Sequence, residues 1–189
     1  QISGIIANGA STTSLVKNGT GKWILTGANS FTGGTSLIQG TLAIGHNTAL
    51  GTGTLDLRGG AIQSSDATAR TLANAISLSA DTVFGGTGNM LFTGATNAGS
   101  LAKTFTVNNP RTEFSGAISG GGARTKAGPG TLVFSGANTY TGATTVSAGT
   151  LAVNGSLAAA STVTVSNNAT LTGTGTVSSS RSATVSGTV

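Results

Sequence analysis

The stretch from Lys17 to Ala43 is written a second time from Lys126 to Ala152, 109 residues on. The first copy carries Lys17, Gly19, Gly21, Gly27, Ala28, Asn29, Thr32, Gly33, Thr35, Gly40, Thr41 and Leu42. The second answers with Lys126, Gly128, Gly130, Gly136, Ala137, Asn138, Thr141, Gly142, Thr144, Gly149, Thr150 and Leu151. Substitutions between the copies are like for like: Ser30/Thr139, Phe31/Tyr140 and Leu37/Val146. Self-similarity of this kind means stacked supersecondary units, none of which buries its apolar face without a neighbour.

The text between the copies is built from short alternating segments: Leu42-Ala43-Ile44, Leu55-Asp56-Leu57, Ile76-Ser77-Leu78, Phe105-Thr106-Val107, Leu151-Ala152-Val153 and Val163-Thr164-Val165. Each has the period of a strand with one apolar face. Glycine turns separate them at positions 51–53, 59–60, 85–88, 120–122 and 173–175, and helical spacing is almost absent, with 67–75 the nearest candidate. Such strands suit an antiparallel sandwich or a parallel β-helix. The internal repeat decides for an all-β, right-handed, single-stranded parallel β-helix with roughly 20 to 25 residues per coil, hence about eight or nine coils. Leu42, Leu55, Leu57, Ile76, Leu78, Val107, Leu132, Leu151, Val163 and Val165 are expected to point inward. The two copies are expected at equivalent coil positions, with Trp23 over Leu132 and Phe31 over Tyr140.

Composition narrows the function. Only 7% of residues are charged, far below the usual ~25%. The net charge of +5 comes from nine basic residues spread singly against Asp56, Asp66, Asp81 and Glu113. Arg124 and Lys126 alone approach a cluster, and no aromatic residues are interleaved with a basic stripe, so nucleic acid is not an expected partner. With no cysteine, disulfides, thiolate metal sites and cysteine catalysis are excluded. No run approaches the ~18 apolar residues of a membrane helix. The chain opens and closes on turn-and-strand text, so residues 1–189 read as one β-helical segment of a larger secreted protein.

From Gly130 to Leu151 (GTLVFSGANTYTGATTVSAGTL) the sequence resembles the passenger-associated transport repeat, also described as an autotransporter-associated β-strand repeat. The lead-in of that repeat, a short strand, a glycine turn and a lysine, is matched by Phe114 to Gly120 before Lys126. Gly19 to Leu42 resembles a second copy, whose lead-in at Ile2 to Asn8 is longer by about three residues. With lead-ins, the copies span 2–45 and 114–154. The resemblance implies a right-handed β-helical passenger segment carried through the outer membrane by a C-terminal β-barrel that lies outside this sequence. It further implies a cell-surface or extracellular location and a role in the stalk of an adhesin.

Candidate chemistry is thin. Asp56 and Asp81, 25 positions apart, are near one coil length and would have to lie side by side to act as a glycosidase pair; solvated turn or strand positions are the expected alternative. His46 is the single histidine and lacks partners for a triad or metal site. Gly85 to Met90 resembles a calcium-binding nonapeptide turn, but Met90 stands where an acid is needed. Gly-x-Gly at Gly19, Gly51, Gly128 and Gly173 lacks the third glycine and the helix of a nucleotide loop. Asn18, Asn154 and Asn168 fit the glycosylation pattern by chance in a Ser/Thr-rich chain. Trp23, Phe31 and Tyr140 are expected in packing. The expectation is therefore a non-catalytic scaffold with no catalytic residue, metal or cofactor, whose partners are like chains or a host or abiotic surface. A self-associating filament subunit is the first alternative, joined through end residues such as Val185 and Val189, and a polysaccharide-degrading β-helix the second.

Overall fold

The computed structural model describes residues 1–158, 162–177 and 183–185, the last three by backbone alone. Every regular element among the described residues is a strand, and every ladder is parallel. The strands stack into three faces, met in the order I, II, III, with the first two coils carrying strands on faces I and II alone. Face I comprises Leu15–Lys17, Thr35–Leu37, Leu55–Leu57, Ile76–Leu78, Thr96–Asn97 and Ile118–Ser119. It continues through a bridge from Ala137 to Ser156 into the pair Ser156–Leu157 and Thr176–Val177. Face II runs the full length as nine strands: Lys22–Leu25, Thr41–Ile44, Ala61–Ser64, Thr82–Gly85, Lys103–Val107, Arg124–Ala127, Thr144–Val146, Val163–Val165 and Ala183–Val185. Face III holds Arg70–Leu72, Met90–Phe92, Arg111–Phe114, Thr131–Phe134, Gly149–Val153 and Ala169–Thr172. The chain is thus a parallel β-solenoid, as its alternating segments require. Along face II the register Lys22, Thr41, Ala61, Val83, Thr106, Ala127 climbs five rungs in 105 residues, or 21 per coil.

Alternation decides what fills the interior. The ten aliphatic residues assigned inward from their spacing are all buried, none more than 3% exposed. They share the lumen with an aromatic column. Phe84 stacks on Phe105 at 6.1 Å and Phe92 on Phe114 at 4.9 Å, while Phe134 meets Phe105, Phe114 and Tyr140 edge-on. Offset and edge-to-face pairs of this kind add to burial through the ring quadrupole.

The corners need glycine for a steric reason. A Cβ on Gly116 would fall 2.1 Å from the carbonyl oxygen of Gly94 one coil below, and one on Gly155 would fall 2.1 Å from that of Gly136. Gly94, Gly116, Gly136, Gly155 and Gly175 thereby form a column along one edge, each tight against the corner beneath it.

One expectation fails. Trp23 lies on face II and Leu132 on face III, and the loops bearing Phe31 and Tyr140 likewise occupy successive faces. Five coils of 21 residues carry Lys22 to Ala127, whereas the repeat spacing of 109 carries it four residues further, past the corner at 128–130 onto the next face. Pairing inside each copy is nevertheless repeated. Trp23 is level with Leu42 as Leu132 is with Leu151, and Lys17 with Leu37 as Lys126 is with Val146. The side chain of Val185, and Val189, lie outside the described residues.

Candidate functional site: the clamped cation and asparagine of each repeat

The inward parity of two strands ends on a lysine. Lys17 closes Leu15–Lys17 and Lys126 lies in Arg124–Ala127, at positions that alternation turns toward the lumen, and both are fully buried. Each ammonium is held by corner carbonyls. Lys17 Nζ donates to Gly19 O (2.6 Å), Gln39 O (2.9 Å) and Asn18 O (3.5 Å). Lys126 Nζ donates to Gly128 O (2.8 Å), Ala127 O (2.9 Å) and Ala148 O (3.0 Å). Gly128 and Ala148 are the counterparts of Gly19 and Gln39, so the clamp is the same object in both copies, tying one coil's corner to the next. Burial pulls the Lys126 ammonium down to about 8 from its ordinary 10.5, because removal from water disfavours the charged form.

An asparagine repeats with it. Asn29 Oδ1 accepts the Ile6 N–H at 2.8 Å, and its Nδ2 donates to Ala49 O at 2.6 Å. Asn138 Oδ1 accepts the Ile118 N–H at 2.9 Å, and its Nδ2 donates to Gly136 O (3.1 Å) and Ser156 O (3.0 Å). Each side chain replaces strand hydrogen bonds where the wall opens into a loop, as buried backbone groups require. The loop aromatics Phe31 and Tyr140 are fully buried beside these corners. Tyr140 Oη lies 2.7 Å from Thr144 Oγ1, and the Arg124 guanidinium sits 5.2 Å from its ring centre. Burial pushes the Tyr140 phenol up to about 12, and the Arg124 guanidinium down.

The residues weighed for chemistry are dispersed. Asp56 is level with Ser77 rather than Asp81; its carboxylate accepts from Ser79 Oγ (2.7 Å) and faces Arg58 at 3.6 Å. Asp81 accepts the Thr104 N–H at 2.7 Å. Asp66 is held below the usual carboxylate range mainly by the Thr68 N–H, and pairs with Arg70 at 2.7 Å. Glu113 binds Ser135 Oγ and Arg111, both at 2.6 Å. His46 is exposed in a turn with Thr48, 3.0 Å away. Met90 is buried in a strand, so the turn at Gly85 turns a thioether inward where a calcium loop would need a carboxylate. Among the described residues no group of three His, Cys, Asp or Glu is placed to hold a metal, and no helix is long and apolar enough to cross a membrane. Trp23 is half-buried with Lys17 Nζ 5.5 Å from its ring, a packing role.

What spacing in the sequence passed over was the interior position of the cations. Lys17, Lys103, Arg124 and Lys126 are all buried, although their parity within the alternating segments was available to show it.

The model of the passenger-associated-transport-repeat matches residues 15–44 and 125–153, each span enclosing one lysine clamp and one asparagine corner. No curated protein and no solved structure matches the chain. The chain is therefore a β-solenoid that carries two passenger-associated transport repeats.

Proposed function

We propose that this chain is a non-catalytic scaffold segment of an autotransporter-type passenger, displayed on the cell surface as part of an adhesin. One observation carries the reading: both repeat matches lie on coils of a single solenoid whose second face continues unbroken through the residues between them. A rigid stack in which each coil templates the next suits a polypeptide that folds progressively after export, since every rung needs only its neighbour. The four acids support the non-catalytic part, because each is held by a separate serine, threonine or arginine partner.

The test is to express the full-length protein with a tag in the outward loop near Ser100 and to treat intact cells with protease. Cleavage of the tag on intact cells is the expected outcome; protection until lysis overturns surface display. Release of reducing sugar from a polysaccharide panel by the purified segment would overturn the scaffold reading. Self-association is a second reading, favoured by Leu15–Lys17, the edge strand of face I, which presents Val16 half-exposed. Parallel edges of this kind accept a strand from another chain, and light scattering that rises with concentration for the wild type but not for Val16→Lys would support it.

A further inference from the structure

Four cations are buried in the lumen, and Lys103 differs from the rest. Lys17 and Lys126 each donate three hydrogen bonds to corner carbonyls. Lys103, only 5% exposed, donates a single long one, to Ala102 O at 3.4 Å. Two of its three donors are unused. Arg124 lies level with it on the adjacent strand, one rung of about 4.8 Å away, and Arg124 Nε is buried without a partner. None of the ion pairs among the described residues involves either cation.

Lys103 also lines a cavity of about 320 Å³, together with Ser77, Ser79, Asn97, Gly99 and Leu101. Leu101 is 71% exposed at its mouth. The rim is anchored from the next coil, since the Arg124 guanidinium donates to Leu101 O at 3.4 Å. Both acids of this region are already engaged: Asp56 by Ser79 and Arg58, and Asp81 by the N–H of Thr104, next to Lys103, at 2.7 Å.

We infer that this cavity is an anion-binding site that takes a carboxylate or sulfate group on a ligand the size of a single sugar residue, with Lys103 supplying the charge and the Asn97 amide nitrogen the wall donor, the Gly99 N–H being held by Asn97 Oδ1 and the Ser77 hydroxyl by Ser79. A buried ammonium with unused donors is costly, and an oxyanion relieves that cost through charge-assisted hydrogen bonds. Two like charges on neighbouring rungs raise the potential of the pocket above that of either alone. The volume lies at the lower end for small-ligand sites. The site stands or falls on the purified segment, independently of export or display.

Isothermal titration at low salt, with sodium glucuronate, sodium sulfate and glucose as the neutral control, tests the assignment. One saturable site for both anions and none for glucose is expected, with glucuronate tighter than sulfate if the ring contributes and equal to it if the oxyanion alone is held. Lys103→Met should weaken binding at least tenfold. Amide NMR of the wild type provides a second readout that does not depend on how the variant folds: sulfate should shift Gly99, Ser100 and Lys103 first. Absence of saturable binding, equal binding of glucose, undiminished binding by Lys103→Met, or shifts centred elsewhere would overturn it.

Discussion

A buried lysine held only by carbonyls is unusual because desolvation is not repaid by a counter-charge. For Lys126 this makes a pH signature. Its folded value of about 8 lies below the unfolded 10.5, so the unfolded chain binds the extra proton between those limits. The penalty is complete below pH 8, shrinks as pH rises, and is gone above 10.5. Stability measured by urea denaturation should therefore climb between pH 8 and 10, and Lys126→Met should flatten that climb. Tyr140 acts in the opposite sense at higher pH: with a folded value near 12 against 10 unfolded, its contribution is intact below pH 10 and lost as pH rises toward 12. Asn138 tests the corner. Asn138→Ala leaves the Ile118 N–H and the Gly136 and Ser156 carbonyls without their side-chain partner. A loss of about 2–3 kcal/mol in chemical denaturation is expected, since each abandoned buried polar group costs about 1–3 kcal/mol.

At the scale of strands and corners, the interior is held by a few aromatic contacts and the edge by the absence of side chains. Phe114 touches Phe84, Phe92, Phe105 and Phe134 at centroid distances of 5.7, 4.9, 5.5 and 6.3 Å. Phe114→Ala opens a cavity that rigid rungs cannot close, and a loss of about 3–5 kcal/mol is expected in thermal or urea unfolding. Gly116 fails for another reason. Its backbone is not left-handed, so an alanine there is conformationally allowed, yet its Cβ would strike Gly94 O. Gly116→Ala should destabilise the coil, whereas Gly121→Ala, whose nearest neighbour would be 3.9 Å away, should leave the melting temperature within a degree or two. Equal effects at the two sites would refute the stacked-corner argument.

Across the whole molecule, stability is passed from rung to rung, so it follows local packing rather than a single core. Coils that share the aromatic column, from Thr82 to Phe134, should be the last to open. Residues 1–14, most of which are exposed and which reach the stack through a bridge from Ile2 to Leu25 and a few corner hydrogen bonds, should open first. Hydrogen exchange followed by mass spectrometry should show protection highest in the first region and lowest in the second; uniform protection would mean one cooperative unit instead.

Much of this architecture was legible in the letters. Alternation is a local property, and burial of Leu55, Leu57, Val163 and Val165 follows from parity alone, because in a strand each residue faces opposite to its neighbour. Repetition of Lys-to-Leu text likewise determined that the strands stack in parallel coils. Parity also turned Lys103 and Lys126 inward, but charge argued for solvent, and only the folded corners, with carbonyls converging on the ammonium, decided between the two. The angular position of each copy was not legible either. It is an accumulated quantity, the sum of strand and corner lengths over five coils, so a four-residue excess moves Leu132 one face away from Trp23 while leaving every local pairing intact. The amino-acid sequence by itself determined the solenoid and its inward set; the tertiary structure decided which face each repeat occupies and where the unpaired charge of Lys103 meets a cavity, because both depend on groups brought together from different coils.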